Sequence, residues 1–189
     1  MRRFWSFLLR LGRWKTVGEV PPLRKMVIIG AHHTSNWDFP VAMLAARALG
    51  VKIRFLGKHT LFRPPFGWFF RLLGGIPVDR SRPGGIIGQI VKTFERSEDL
   101  VLAIAPEGTR SHQPYWKSGF YEIARAARLP IVLAAIDGAR HEVRIGPTIA
   151  TTGDVRADMD RIRAFYAPVR GIKADRAGTM RLRAEDTAR

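Results

Sequence analysis

Short apolar runs recur along the chain, and stretches with helical spacing of apolar residues separate them. The apolar or alternating runs predict strands at residues 26–31, 51–56, 76–79, 100–105, 131–136 and, as an edge strand, 142–149. The stretches between them predict helices at residues 37–49, 64–73, 86–96, 117–129 and 158–166. The strands alternate with helices, and several of the strands are apolar throughout, which predicts a single α/β domain with a largely parallel, twisted sheet flanked by helices.

The two ends of the chain differ in pattern from the middle. The predicted domain covers residues 26–167. Residues 1–25 form a basic segment whose helix would place Phe4, Leu8 and Leu11 on one side, which suits a membrane interface. The alternative is a terminal helix packed on the domain. Residues 168–189 are polar and basic, and we expect them to form a flexible tail.

Composition narrows the classes of function. The 189 residues fit one domain, and a hydrophobic fraction of 46% can build a substantial core. The absence of cysteine excludes disulfides, thiolate nucleophiles and cysteine-ligated zinc. The net charge of +16 favours anionic partners, namely nucleic acid, anionic lipid or a phosphorylated substrate, although charge also serves solubility. No apolar run reaches the roughly 18 to 20 residues that a membrane-spanning helix requires.

Two polar segments directly follow buried strands. Residues 31–38 (AHHTSNWD) follow the first run, and residues 105–111 (APEGTRS) follow the fourth. Ligands of parallel sheets bind at the carboxyl ends of strands, so the two segments are expected to share one site.

The first segment has the residues of a base and its orienting acid. His33 can act as a general base, and Asp38 can orient its ring and stabilise the imidazolium. No G-x-S-x-G turn and no cysteine is present, so the nucleophile is expected to be the substrate's own hydroxyl. The alternatives are that Asp38 caps the helix that follows and that His32 and His33 are core residues.

The second segment and the region before it supply cations. Gly108 allows close backbone approach, Arg110 suits a phosphate, and Glu107 would orient Arg110 or accept a hydrogen bond from substrate. A structural Glu–Arg pair in an ordinary turn is the alternative. Residues 57–80 interleave cations with aromatic rings, which suits a bilayer headgroup layer, single-stranded nucleic acid or a core helix.

In this order, the segments resemble the motifs of the glycerol-phosphate and lysophosphatidic acid acyltransferase family, in a divergent bacterial branch. The His-x4-Asp motif corresponds to His33 and Asp38, and Gly74–Arg80 (GGIPVDR) resembles the second motif. Pro106–Ser111 (PEGTRS) matches the third motif without change. Leu129–Ala134 (LPIVLA) matches the fourth motif only in part, because the final proline is missing.

The resemblance implies an O-acyltransferase in phospholipid biosynthesis. It implies that His33 and Asp38 activate the hydroxyl of a lysophospholipid-type acceptor, and that this hydroxyl attacks the thioester of acyl-CoA or acyl carrier protein. The acceptor expected first is 1-acyl-glycerol-3-phosphate. It also implies a set of substrate-binding residues: Lys58, Arg80, Glu107, Gly108, Thr109 and Arg110. No cofactor or metal is expected, because the thioester is already activated. Another lysolipid or an amino-acid lipid remains an alternative acceptor.

The resemblance also bears on partners and on location. We expect a peripheral protein on the cytoplasmic face of an anionic membrane, with no nucleic-acid partner, since no helix-turn-helix, zinc-finger or RRM signature is present. A metal-dependent hydrolase using His32, His33, Asp38 and His112 is a rival, but the H-E-x-x-H and H-x-E…C-x-x-C patterns are absent. A non-enzymatic protein that binds anionic membranes is the other alternative.

Overall fold

A computed structural model describes residues 1–79 and 85–187 of the chain. Its strands are β1 (Lys15–Val17), β2 (Lys25–Ala31), β3 (Ile53–Lys58), β4 (Gly75–Val78), β5 (Leu100–Ile104), β6 (Ile131–Asp137) and β7 (Glu142–Ile149). Its α-helices are α1 (Arg2–Leu11), α2 (Asp38–Leu49), α3 (Gly67–Leu72), α4 (Gly85–Arg96), α5 (Gly119–Ala126), α6 (Val155–Tyr166) and α7 (Ala184–Thr187). Short 3-10 helices lie at His59–Phe62 and Ala174–Arg176.

The strands described form one sheet in the order β1-β7-β6-β2-β5-β3-β4. Every neighbouring pair is parallel except β6 and β7, which are antiparallel. The prediction of a single α/β domain with a largely parallel sheet is therefore confirmed. The central strands β2, β5 and β6 are the runs that are apolar throughout, because side chains on both of their faces are covered.

Helices cover both faces of the sheet. On one face, α4, α5 and α6 contribute Phe94, Phe120 and Met159 to the larger core, and all three side chains are buried. On the other face, Leu9 of α1 and Val41 of α2 pack against β6 and β7. Each buried aliphatic or aromatic side chain of this kind contributes about 1.5–3 kcal/mol relative to leaving it exposed.

A buried polar cluster ties α5 to α6 on the larger-core side. The Asp158 carboxylate accepts hydrogen bonds from the Tyr121 hydroxyl and the Thr152 backbone N–H, both at 2.8 Å, and from Arg161. Burial alone would raise the pKa of the Asp158 carboxyl, but these hydrogen bonds outweigh burial and lower its pKa. Burial, and then the bond to Asp158, raises the pKa of Tyr121 to about 12.

The sheet corrects the prediction that residues 142–149 form an edge strand. The segment is strand β7, but β1 pairs with it in parallel, with Lys15 opposite Glu142 and Val17 opposite Arg144. Strand β1 was missed because it has three residues and no apolar alternation. The segment at residues 1–25 therefore contributes a strand to the sheet as well as helix α1.

Two helices are shorter than predicted. The helix predicted at 64–73 begins only at Gly67, since Pro64 and Pro65 disfavour helical backbone in the residues that precede them. The helix predicted at 117–129 spans Gly119–Ala126, and the chain leaves it through Arg128, whose φ is +52°. The strand predicted at 51–56 is displaced to Ile53–Lys58.

Over residues 168–187, the part of the segment that the structure describes, the expectation of a flexible tail is wrong. The Leu182 side chain is buried in the larger core, and Glu185 accepts a hydrogen bond from Arg163 at 2.8 Å. The backbone N–H of Trp116 donates to the carbonyl of Arg181 at 2.8 Å. A few buried apolar side chains within this basic stretch hold the segment on the domain. Their spacing has neither a helical nor a strand period, so the sequence pattern does not indicate their burial.

Candidate active site

The parallel register brings the two polar segments together. Strands β2 and β5 pair Ile29 with Ile104, and continuing that register places position 32 opposite position 107. On the other side of β5, Phe55 of β3 pairs with Ala103, so Lys58 ends its strand at the level of Pro106. The carboxyl ends of three adjacent strands therefore meet at one level, about 4.8 Å apart from strand to strand.

The His33 ring and the Asp38 carboxylate lie within ion-pair distance of each other at this edge. The Nδ1 atom of His33 lies 3.2 Å from Oδ2 of Asp38. The carboxylate is 1% exposed, whereas the His33 side chain is 22% exposed. Because Asp38 engages Nδ1, Nε2 is the ring nitrogen that remains for a substrate proton, and the partly open ring gives access to it.

The chain between the two residues wraps around the carboxylate. Oδ2 of Asp38 also accepts the backbone N–H groups of Thr34 and Ser35, each at 2.7 Å. These donors precede Asp38 in sequence, so its side chain does not cap α2, and Trp37 occupies the cap position without a side-chain bond. Oδ1 is buried and has no hydrogen-bond partner among the described residues. The four residues between His33 and Asp38 thus form a loop that holds the carboxylate against the ring.

Glu107 braces the same loop from strand β5. One carboxylate oxygen lies 3.2 Å from Nδ1 of His32, and the other accepts the backbone N–H of His33 at 2.5 Å. Both His32 and Glu107 are buried. The partners of Glu107 in the structure are therefore these two histidines, and no ion pair joins it to Arg110 within the described ranges 1–79 and 85–187.

Elements far along the chain support this loop. The Tyr166 hydroxyl of α6 donates toward the carbonyls of Ile29 and Ala134, at 2.8 and 2.9 Å, and so bridges β2 to β6 beneath the site. Burial raises the pKa of Tyr166, so the phenol stays a neutral donor. The hydroxyl of Thr34 accepts the backbone N–H of Lys173 at 3.1 Å.

Sequence reasoning missed these supporting residues. A side chain at the position of Gly171 would collide with Thr34, its Cβ lying 2.7 Å from the hydroxyl oxygen. The glycine thus allows the C-terminal segment to pack directly on the loop. Tyr166 ends a predicted helix and Gly171 lies in the basic segment after it, and no local pattern at either position indicates a contact with this loop. The sequence pattern suggests His32 only as a core residue or as a metal ligand.

The predicted substrate-binding residues lie around the same edge. Gly108 has a φ of +68°, which favours glycine, and it closes the turn after β5, where its backbone N–H donates to the carbonyl of Ala105 at 3.1 Å. The Thr109 hydroxyl lies 3.2 Å from that of Ser111. Lys58 and Arg110 are exposed to solvent. Arg80, the remaining predicted residue, lies outside the described residues.

The arrangement is suited to proton transfer. It provides a partly exposed imidazole, a buried carboxylate that fixes its tautomer, and cations nearby for an anionic substrate. In the part of the chain that the structure describes, no three histidine or acidic side chains are placed to hold a metal ion together. Across the same ranges, no helix is both long enough and apolar enough to span a bilayer.

Comparison with known proteins connects this geometry to a family. The family model described as Acyltransferase matches residues 15–137. The chain is 31% identical over 126 residues to the 1-acyl-sn-glycerol-3-phosphate acyltransferase of Saccharomyces cerevisiae, covering 62% of this chain and 41% of that protein. It is 31% identical over 121 residues to the protein of the same name from Streptococcus pneumoniae, covering 64% of this chain and 45% of that protein. The chain thus spans less than half the length of these two relatives.

A solved structure agrees at the level of the fold. The crystal structure of the 1-acyl-sn-glycerophosphate acyltransferase from Thermotoga maritima superposes with a TM-score of 0.58 at 15% sequence identity, covering 85% of this chain and 74% of that one. The family match extends from β1 to the end of β6 and includes every residue of the His33–Asp38 loop and of the Glu107 turn. With its motifs, its sheet and more than half of its length matched, the chain belongs to the acyltransferase family.

Proposed function

We propose that the chain transfers a fatty acyl group from an acyl thioester to a hydroxyl of a lysophospholipid-type acceptor. The acceptor that we propose before any other is 1-acyl-glycerol-3-phosphate, and its acylation gives phosphatidic acid. The observation that carries the proposal is the pair of His33 and Asp38, with a buried carboxylate on Nδ1 and a partly exposed ring. The names of the relatives, which describe this acceptor, support the choice of substrate.

The proposed mechanism needs no covalent enzyme intermediate. Nε2 of His33 takes the proton of the acceptor hydroxyl as its oxygen attacks the thioester carbonyl. The carbon–sulfur bond then breaks, and the imidazolium returns the proton to the departing thiolate. Asp38 stabilises the imidazolium while it exists and keeps the proton of the neutral ring on Nδ1.

Glu107 acts in this mechanism as a positioning residue. Its carboxylate joins the His32 ring to the His33 backbone, so it fixes the point at which β2 ends and the catalytic loop begins. Its burial and its two internal partners favour this role over the direct substrate contact expected from the sequence.

Cations at the carboxyl edge are proposed to bind the acceptor phosphate. Arg110 follows the Glu107 turn and offers a planar fork suited to phosphate, while Lys58 approaches from the neighbouring strand. Gly108 and Thr109 shape the turn between them. A role for Arg80 stays a prediction from the motif.

The donor and the setting follow from the same chemistry. Acyl-CoA and acyl carrier protein both supply a thioester, and neither requires a metal or a cofactor for transfer. A net charge of +16 suits the negatively charged cytoplasmic leaflet, so we propose peripheral binding there. The side of α1 that exposes Phe4, Phe7 and Leu11 suits an interfacial helix.

A thioester-consumption assay tests the proposal. The protein is mixed with acyl-CoA or acyl carrier protein and with vesicles that carry 1-acyl-glycerol-3-phosphate, other lysolipids or an amino-acid lipid. We expect transfer to one acceptor and a fall of roughly 10²- to 10⁴-fold in His33→Ala, the range that a general base contributes. Folding of the variant is checked by circular dichroism. Absence of transfer from every donor would contradict the proposal and favour a protein that only binds membranes.

A further inference from the structure

A cluster of exposed apolar side chains surrounds α3 beside the active-site edge. We name it the α3 patch, and it consists of Leu61, Phe66, Trp68, Phe69 and Leu72. Trp68 is 66% exposed and Leu72 is 73% exposed. Single apolar side chains on a surface are common, but five within twelve residues indicate an interaction surface.

The patch is held in place from beneath by one buried ring. Phe62 packs against Gly57 of β3 and Gly75 of β4, where an added Cβ would come within 2.8 Å of the ring. A Cβ at Gly67 would lie 2.0 Å from the carbonyl oxygen of Phe62, and Arg71 donates to that oxygen at 3.2 Å. The other apolar side chains are therefore directed outward by a packed structure, so their exposure does not reflect a loose helix.

The patch lies on the same face of the sheet as α2. The rings of Phe39 in α2 and Phe55 in β3 meet edge to face at 5.1 Å. Phe55 pairs with Gly75, so both positions point to the face on which Phe62 and α3 pack. The connection that carries α3 leaves β3 at Lys58, two strand positions from the end of β2 and so roughly 10 Å from it.

Charge around the patch is almost entirely positive. Residues 53–78, which run from the start of β3 to the end of β4, contain four lysines and arginines and no acidic residue. Arg54, Lys58, Arg63 and Arg71 are all exposed on the segment that carries the patch. A second copy of the chain would bring like charges together across a two-fold interface, which disfavours self-association here.

We propose that the α3 patch docks the protein on an anionic lipid bilayer. The proposal rests on the proposed function in one respect, namely that the acceptor is delivered from that bilayer. Aromatic side chains settle at headgroup depth, and exposed cations beside them bind anionic lipid. Docking there holds the carboxyl edge of the sheet, with His33, against the surface in which the acceptor is embedded.

Vesicle co-sedimentation of the full chain, without substrates, tests the docking. The variant Trp68→Ser/Leu72→Ser removes two apolar side chains, and Ile87→Ser is the matched control. Ile87 is 37% exposed and belongs to α4, on the opposite face of the sheet. On phosphatidylglycerol/phosphatidylcholine vesicles, the double variant is expected to bind about tenfold or more weakly, because burying one such side chain contributes enough for a tenfold change. Binding by Ile87→Ser should equal that of the unaltered chain.

A second measurement locates the contact directly. Brominated acyl chains quench the fluorescence of tryptophans that enter the bilayer, and we expect such quenching for the unaltered chain. Trp68→Phe should lower this quenching more than the same substitution at any other tryptophan. Equal binding by the double variant and by Ile87→Ser would overturn the docking surface. So would a dimer in sedimentation velocity that Trp68→Ser/Leu72→Ser converts to monomer, because a second copy would then cover the patch.

The two proposals fail in different ways. Binding that depends on the patch, without acyl transfer to any acceptor, would support docking and contradict the proposed function. Acyl transfer by the unaltered chain, with vesicle binding independent of the patch, would support the function and overturn docking. Binding that is equal on neutral and anionic vesicles would remove the role of the surrounding cations and overturn the proposal of an anionic surface.

Discussion

Replacing Asp38 by asparagine removes one charge while keeping the shape of the side chain. The asparagine carbonyl can still accept the backbone N–H groups of Thr34 and Ser35, which Oδ2 of Asp38 accepts at 2.7 Å. Its NH₂ group must then occupy the place of Oδ1, which is buried and has no partner among the described residues. An unsatisfied buried donor costs about 1–3 kcal/mol. Because Oδ1 is also unpaired in the unaltered chain, we expect the free energy of unfolding to fall by no more than that amount, and each kcal/mol lowers Tm by roughly 2–4 °C.

The same substitution weakens the proposed base. The carboxylate lies 3.2 Å from Nδ1 of His33 and would stabilise the imidazolium formed during transfer. A hydrogen bond to a charged group is worth about 1.5–3 kcal/mol, and each 1.36 kcal/mol is tenfold in rate. Asp38→Asn should therefore lower kcat by roughly 10- to 100-fold. The assay is the initial rate of thiol release from acyl-CoA, measured at a temperature well below the Tm of the variant.

A double-variant comparison tests whether Asp38 acts through His33. If it does, His33→Ala/Asp38→Asn should show the same kcat/KM as His33→Ala, within about threefold, because the two side chains act as a unit. Full additivity of the two losses would refute this reasoning, since Asp38 would then contribute without the imidazole. Retention of full kcat in folded Asp38→Asn would refute it as well.

Other substitutions separate the remaining roles. Arg110→Ala should raise the acceptor KM about tenfold, because one charge-assisted hydrogen bond to the phosphate is lost, and should leave kcat nearly unchanged. An unaltered acceptor KM in steady-state kinetics would reject the contact between Arg110 and the phosphate. Glu107→Gln should instead lower kcat about tenfold at constant acceptor KM. A raised acceptor KM would favour the direct contact between Glu107 and substrate that the sequence predicts. The pKa of Asp158 is lowered in the folded chain, so its stabilisation is present above the unfolded value of about 3.9 and is lost as pH falls through the folded pKa. Urea unfolding of Asp158→Asn should accordingly show a deficit relative to the unaltered chain at pH 7 that shrinks near pH 3, and a deficit independent of pH would contradict this assignment.

Much of the fold follows from local pattern. The runs that became β2, β5 and β6 are apolar at successive positions, since both faces of a central parallel strand are buried. Because the segments with His33 and Glu107 each follow a buried strand of a parallel sheet, the pattern also predicted that the two segments meet at one edge. Short or irregular elements were harder to predict: β1 has three residues, and Pro64 and Pro65 delay the start of α3.

The sequence by itself determined the class of fold, the pair of His33 and Asp38, and the edge at which they lie, because these depend on residue type and on spacing along one loop. Tertiary structure alone decided what holds that loop. Glu107 reaches the histidines through strand register, and Thr34 is contacted by a segment whose backbone lies 139 residues further along the chain. It also decided which aromatic rings are buried: Phe62 fills the space left by glycines on neighbouring strands, while Trp68 is left exposed. Such contacts join residues distant in sequence, and no local period of apolar and polar positions encodes them.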